Sequence, residues 1–121
     1  VKAISRTDAY RLDNLIVAFS NIGSFEAASA RSIIKTGADI AIVFSPREEE
    51  MRISGRCRRQ LTEKIHLGED LFSEVEDTIN GSAGGHDSAA SANGKNMERE
   101  EIKIEMLDRL EEIFNSQVEE L

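Results

Sequence analysis

The sequence has few residues that could stabilise a fold through disulfide bonds or metal coordination. Its 121 residues include one cysteine, one proline, two histidines and no tryptophan. A single cysteine excludes an internal disulfide and a cysteine-rich zinc site, and it favours a reducing, cytoplasmic compartment. No apolar run approaches the roughly 18 residues that would span a bilayer, so we expect no membrane-embedded segment.

Positive charge is also scarce. The formal net charge of −8 argues against a surface that binds nucleic acid through bulk positive potential. The charge is uneven, however, because five arginines lie between residues 47 and 59. An acidic average can therefore conceal a local basic patch.

Catalytic motifs are missing as well. His66 and His86 do not fall in a metal-ligand pattern, and there is no Walker loop and no dinucleotide-binding fingerprint. Cys57 has no candidate base nearby in sequence, and a small buried filler is the better interpretation. We predict no catalytic residue, no metal site and no bound cofactor in this chain.

What the sequence does contain is an alternation of apolar runs and helical patterns. The runs 15–19 and 38–44 are typical of buried strands, and the helical pattern between them predicts a β-α-β unit. A short strand ending at Leu12 and a turn at residues 13–14 precede the first run. Residues 50–58 alternate between apolar and polar, which predicts another strand.

Helix boundaries follow from capping residues. Ser24 suits an N-cap and Gly37 a left-handed C-cap for the first helix. Its residues at helical spacing are Phe25, Ala28, Ser32 and Ile33. A second amphipathic helix is predicted from near His66 to Asn80, with Leu71, Phe72, Val75 and Ile79 on its apolar face. A third, acidic helix is predicted within residues 98–121, with Met106, Leu110, Ile113, Phe114 and Leu121 as its apolar positions.

These elements predict one α/β domain over residues 1–121. Its core is a mixed β-sheet of about four to five strands flanked by helices, and the acidic helix within residues 98–121 belongs to the same domain. The chain begins at Val1 without a signal-peptide pattern, so we interpret it as part of a longer protein.

Arg52, Ser54 and Arg56 fall on one face of the predicted strand 50–58. Two guanidinium groups beside a hydroxyl can form charge-assisted hydrogen bonds to phosphate oxygens. The alternative is a solvated strand face that balances the acidic surplus of the protein.

The run GSAGGHDSAASANGK, residues 81–95, contains the second candidate site. Gly84 and Gly85 would let backbone N–H groups approach an anion, and His86 could donate to a phosphate oxygen. We interpret residues 81–90 as a phosphate-binding loop that runs into a helical turn at Ala89 and Ala90, and residues 91–95 as a linker. The alternative is a plain surface loop throughout.

Several segments taken together resemble a known family. They are Val17 to Phe19, Gly23 to Ala28, Thr36 to Val43, Arg52 to Arg56, His66 to Gly68 and Gly84 to Ala90. In this order they resemble the C-terminal DHH-associated domain of the DHH phosphoesterases, a family that includes RecJ-type exonucleases and oligoribonucleases. The resemblance spans roughly residues 15–92. It departs from the usual motif at Ala83 and Ser91, where glycines are common.

The resemblance implies a division of labour. A catalytic DHH domain, expected N-terminal to residue 1, would bind manganese or magnesium and activate water, so the present chain alone is predicted to be inactive. Gly84, Gly85 and His86 would contact the phosphate next to the scissile bond. Arg56 with Ser54 would hold a neighbouring phosphate or sugar.

The substrate and partners stay open at this level. Single-stranded nucleic acid, a short oligonucleotide or a cyclic dinucleotide would serve as substrate. The DHH domain, or a second copy of the chain, would be the protein partner. The alternative function is a non-catalytic interaction module of a replication or repair assembly, in which the acidic helix within residues 98–121 docks a basic partner.

Overall fold

The structure is a computed structural model that describes residues 7–23 and 25–121, so the predicted Ser24 cap lies outside the described residues. Seven strands form one mixed sheet. They are β1 (Asp8–Leu12), β2 (Leu15–Asn21), β3 (Ile40–Pro46), β4 (Met51–Cys57), β5 (Gly81–Gly85), β6 (Ala89–Gly94) and β7 (Val118–Glu120). The flanking helices are α1 (Glu26–Lys35), α2 (Glu76–Ile79) and α3 (Arg99–Phe114). The predicted α/β class with a mixed sheet is confirmed, but the predicted number of four to five strands is wrong.

The strands lie in the order β5-β6-β4-β3-β2-β1-β7. Only β2 and β3 pair in parallel, and every other neighbouring pair of this sheet is antiparallel. Two parallel neighbours need a crossover connection, which α1 supplies. The predicted β-α-β unit is therefore confirmed, as is the short strand before it.

Both faces of the sheet are covered, but to different extents. The larger core packs one face against α3 and the helical residues 67–79, and Phe44, Phe72 and Ile42 are fully buried in it. The smaller core lies under α1 and consists of Ala18, Ala30, Ile33, Ala38, Ala41 and Val43. Because α1 contacts β3 and β4, the same face of β5 and β6 is left open.

Of the four residues predicted at helical spacing in α1, Ile33 is buried and the other three are exposed. Phe25 precedes the helix and is 79% exposed, and Ala28 and Ser32 are also exposed, whereas the buried residues are Ala30 and Ile33. The segment is rich in alanine, so its pattern is compatible with more than one stripe. The predicted Gly37 turn is supported by a positive φ of 125° just after the helix.

The predicted helix from His66 to Asn80 is interrupted, although its four apolar residues are all buried. Leu67–Phe72 forms a wide π-type turn, Ser73–Val75 a 3₁₀ turn and α2 a single α-helical turn, which ends at Asn80 in a left-handed conformation. The wide turn places residues five apart on one face, and so Leu67 and Phe72 both reach the core. A further 3₁₀ helix, Arg59–Glu63, precedes this segment.

The glycine-rich run is a β-hairpin. β5 and β6 pair in antiparallel from Gly81 opposite Gly94 to Gly85 opposite Ala90. The predicted helical turn at Ala89 and Ala90 and the predicted linker from residue 91 are therefore both wrong, since these residues form β6. A Cβ on Gly94 would overlap the Ile79 carbonyl, so the hairpin packs directly on the helical residues and a larger side chain would not fit there.

The C-terminal region is a helix followed by a strand. Ile102, Met106 and Leu110 of α3 are fully buried, which confirms the amphipathic pattern. The predicted helical position of Leu121 is wrong, because the chain turns after Phe114 and β7 pairs with β1. None of the helices in residues 7–23 and 25–121 is long and apolar enough to cross a membrane.

Candidate phosphate-binding face

Three neighbouring strands present a polar row on the side of the sheet that carries α1, where α1 covers part of β4 and leaves β5 and β6 open. Ser54, in the middle of this row, is buried. Residues directly opposite each other in a sheet share a face, so the register assigns the members of this face. They are Arg52, Ser54 and Arg56 of β4, Asn93, Ser91 and Ala89 of β6, and Ser82 and Gly84 of β5. We call this set the polar face.

A groove of about 460 Å³ runs over the polar face beside the start of α1. Of the residues predicted from sequence, it brings together Arg52, Ser54, Gly84 and Gly85. Arg56 lies outside this groove, in an adjoining depression of about 260 Å³ with Arg59 and Ser88. The predicted site is thus extended along β4 rather than gathered at one point.

The groove is lined by one cation, Arg52, and one carboxylate, Glu26. Glu26, the one carboxylate among the lining residues, pairs with Arg47 at 3.3 Å between Nη2 and Oε2. Within the described residues, neither Arg52 nor Arg56 has a carboxylate partner. Two uncompensated guanidinium groups on one face attract an anion.

Arg58 behaves differently from its neighbours and belongs to the scaffold. Its Nε lies 3.0 Å from Asp39 Oδ1, and the other carboxylate oxygen accepts a hydrogen bond from the Ile16 N–H at 2.8 Å. This pair ties the end of β4 to the parallel strands. Arg58 is therefore not available to a ligand in the way that Arg56 is.

Gly84 is the glycine of the polar face whose absent side chain the fold does not explain. A Cβ built on Gly84 meets no heavy atom within 4 Å, and its φ is not positive. Gly85 is different, because its φ is 147° and a Cβ there would lie 2.5 Å from the Ala90 Cα. Gly68 is also required by packing, since its Cβ would overlap the backbone of Gly85. Gly84 thus leaves open space in the groove.

His86 stands on a turn that the rest of the domain fixes. Its N–H donates to the Ala89 carbonyl at 2.8 Å, and its own carbonyl accepts from the Gly68 N–H at 3.0 Å. The next two carbonyls, of Asp87 and Ser88, accept from the N–H groups of Leu67 and Cys57. The side chain of His86 is exposed at the end of β5 and lines neither depression of the polar face, so the structure does not gather it with Arg52 or Arg56.

Cys57 and His66 have structural roles. Burial, and secondarily the Asp87 carboxylate, raises the pKa of the Cys57 thiol to about 11, which makes it a poor nucleophile and confirms its interpretation as a buried filler. His66 caps the helical segment, with Nδ1 accepting from the Glu69 N–H at 3.0 Å and Asp70 accepting from the His66 N–H at 2.8 Å.

Sequence reasoning missed three polar residues of the face: Ser82, Ser91 and Asn93. A signal was present, because Ser91 and Asn93 alternate with the buried Ala90, Ala92 and Gly94 at the period of a strand. The departure from the usual glycine at residue 91 places a hydroxyl between Ser54 and Gly84. The other departure, Ala83, packs against the larger core.

Comparison with known proteins identifies the family. Residues 13–118 match the model of the DHHA1 domain. The chain belongs to the DHHA1 family. The DHH-associated resemblance seen in residues 15–92 is thereby confirmed, and the match extends it into β7.

Relatives of this DHHA1 domain are longer proteins or share only its fold. An uncharacterized protein of Methanocaldococcus jannaschii is 36% identical over 113 residues, which cover 89% of this chain and 34% of that protein. The chain therefore spans about a third of the length of this curated relative.

Two solved structures share the fold at low sequence identity. The C-Ala domain of Aquifex aeolicus alanyl-tRNA synthetase superposes with a TM-score of 0.65 at 16% identity, covering 88% of this chain and 96% of that one. The DHH domain of a member of the s1p family of ribosomal proteins superposes with a TM-score of 0.59 at 9% identity, covering 96% of this chain and 29% of that one.

Proposed function

We propose that this DHHA1 domain is the substrate-binding part of a DHH-family phosphodiesterase that acts on single-stranded nucleic acid, short oligonucleotides or cyclic dinucleotides. The single observation that carries the proposal is the uncompensated pair Arg52 and Arg56 on a face with Ser54 and a glycine, Gly84, that packing does not require. The guanidinium groups hold phosphate oxygens, and the open space at Gly84 admits the ligand against the backbone.

His86 is assigned a second contact to the phosphate. Its imidazole is exposed at the end of β5, and the turn of residues 86–88 is fixed by three hydrogen bonds that its carbonyls accept from other segments. A preorganised donor loses little conformational entropy when the ligand binds. We expect this histidine to orient a phosphate rather than to transfer a proton by itself.

Hydrolysis is assigned to a DHH domain outside this chain. The described residues contain no group of three His, Cys, Asp or Glu side chains that could hold a metal ion, so they do not fit the manganese or magnesium ion that the family implies. We therefore propose that the metal and the attacking water belong to a domain preceding residue 1. The purified chain should not cleave a dinucleotide in the presence of Mn²⁺, and metal-dependent cleavage would contradict this assignment.

The proposal is tested by calorimetric titration of adenosine monophosphate into the purified chain. Arg52→Ala and Arg56→Ala should each weaken binding by about tenfold or more, since a hydrogen bond to a charged group contributes roughly 1.5–3 kcal/mol. Gly84→Leu should also weaken binding by filling the groove.

Arg31→Ala is the matched control. Arg31 is also exposed and has no carboxylate partner in the described ranges, but it lies on α1 and lines neither depression of the polar face. Its removal changes the net charge equally and should leave the affinity unchanged. Equal losses in all three arginine variants would show that only net charge matters and would refute the assigned site.

A further inference from the structure

Phe25 is an exposed aromatic residue next in sequence to the groove lining. The chain has five phenylalanines and one tyrosine. Four of these six rings are buried and Phe114 is half-buried, whereas Phe25 is 79% exposed. The two residues that follow it, Glu26 and Ala27, line the groove. The exposed ring therefore belongs to the residue that directly precedes this part of the groove lining.

The backbone at Phe25 is also in a disfavoured conformation. Its φ of 60° and ψ of 41° lie in the left-handed region, which bulky side chains rarely adopt. Glycine or asparagine would fit this conformation better, and neither would expose an apolar ring to water. Neither stability nor solubility explains a phenylalanine here, and strained residues of this kind cluster at ligand sites.

We infer that Phe25 is a stacking platform for the base of a nucleotide whose phosphate is held on the polar face. This inference rests on the proposed function. The chemistry of the site determines which ligand we propose. Arg52 would bind an anionic group and the Phe25 ring would stack on a flat aromatic group, and a nucleotide carries both. Stacking on an aromatic ring is tolerant of base identity, so Phe25 recognises the presence of a base rather than its sequence.

Two ligands that differ only in the base test the inference. Adenosine monophosphate and ribose 5-phosphate share the phosphate and the sugar, so their affinities can be compared for the native chain and for Phe25→Ala. We expect Phe25→Ala to weaken binding of adenosine monophosphate by about tenfold, and to leave the affinity for ribose 5-phosphate unchanged. Ile104→Ala, which removes another exposed apolar side chain on α3, is the matched control.

A tryptophan at residue 25 reports the contact directly. The chain has no natural tryptophan, so in Phe25→Trp the indole is the only one present. Its fluorescence should be quenched by adenosine monophosphate and not by ribose 5-phosphate. Phe25→Asn should relieve the backbone strain, so it should raise the thermal midpoint of unfolding while it weakens nucleotide binding.

The outcomes separate this inference from the proposed function. If both ligands bind through Arg52 but Phe25→Ala leaves the affinity for adenosine monophosphate unchanged, stacking is refuted and the ring serves another occupant, such as a neighbouring domain. If neither ligand binds, or if Arg52→Ala has no effect, the proposed function fails and the inference fails with it.

Discussion

Replacing Gly55 by alanine should destabilise the domain through one buried ring. A Cβ at residue 55 would lie 2.6 Å from Cε1 and Cζ of Phe72 and 3.2 Å from Cδ1 of Ile42. Ordinary contact begins near 3.4 Å, and Phe72 is fully buried, so the ring has to move within a packed core. Overpacking of this kind costs about 1–3 kcal/mol, while alanine in place of glycine in a strand returns about 0.5–1 kcal/mol. We expect a net loss of about 1–2 kcal/mol.

The assay is urea denaturation followed by circular dichroism, which yields the free energy of unfolding for each variant. Phe72→Leu alone should destabilise the protein by leaving a cavity. In the Gly55→Ala background the same change should cost less, because the new methyl group occupies part of the vacated space. Residues in direct contact show coupling energies of about 0.5–3 kcal/mol.

Gly84→Ala is the control for this cycle, since nothing lies within 4 Å of its built Cβ. Its free energy of unfolding should stay within about 0.5 kcal/mol of the native value. The reasoning is refuted if Gly55→Ala is as stable as the native chain, or if its effect and that of Phe72→Leu are additive. The expected result would show that Gly55, the glycine between Arg52 and Arg56, is needed for core packing rather than for contact with a ligand.

Further predictions concern buried polar groups. Cys57 should react slowly with a thiol reagent at pH 8 and rapidly after unfolding. Because burial raises the pKa of its thiol from 9.0 to about 11, the contribution of Cys57 to stability, measured relative to Cys57→Ala, should be present below pH 9 and lost as the pH rises toward 11. Ser45→Ala should stabilise the protein by about 1 kcal/mol in urea denaturation, because the fully buried Ser45 Oγ has no hydrogen-bond partner in the described part of the chain. Asp70→Ala should lower the free energy of unfolding by about 1 kcal/mol, since the His66 N–H loses its acceptor. Lys103→Met should lower the free energy of unfolding by a similar amount, because it removes the buried ammonium group that contacts two partly exposed carboxylates at 3.1 and 3.3 Å.

The β-α-β unit was predictable because its signals are local and strong. The run 15–19 is apolar on both faces, and Gly37 adopts the positive φ that was expected after the helix. The polar row of β4 was also predictable, since alternation in a strand assigns Arg52, Ser54 and Arg56 to one face regardless of what pairs with it.

The β5-β6 hairpin could not be predicted from local propensity. Its strands consist of glycine, alanine, serine and one asparagine, which are not the β-branched residues that favour a sheet. The reason for their small size is non-local: Gly68 touches the backbone of Gly85, and Gly94 touches Ile79. Because the partners are distant in sequence, composition alone favoured a loop.

The candidate site was predictable in its residue types but not in its shape. Arg52 and Gly84 line one groove, whereas Arg56 lines another depression. Which residues share a depression depends on the register of the strands, and local sequence patterns do not give that register. The prediction for Phe25 was wrong. Its helical spacing indicated a core residue, but its left-handed backbone conformation places it just before the helix.

The hydrogen bonds around His86 also determine how the domain opens. The N–H groups of Cys57, Leu67 and Gly68 all donate to the turn of residues 86–88, although they come from β4 and from the helical segment. The hairpin cannot detach without breaking all three bonds, so native-state hydrogen exchange should give these amides one shared opening free energy. The end of β4, the start of the helical segment and the histidine turn then form one cooperative unit.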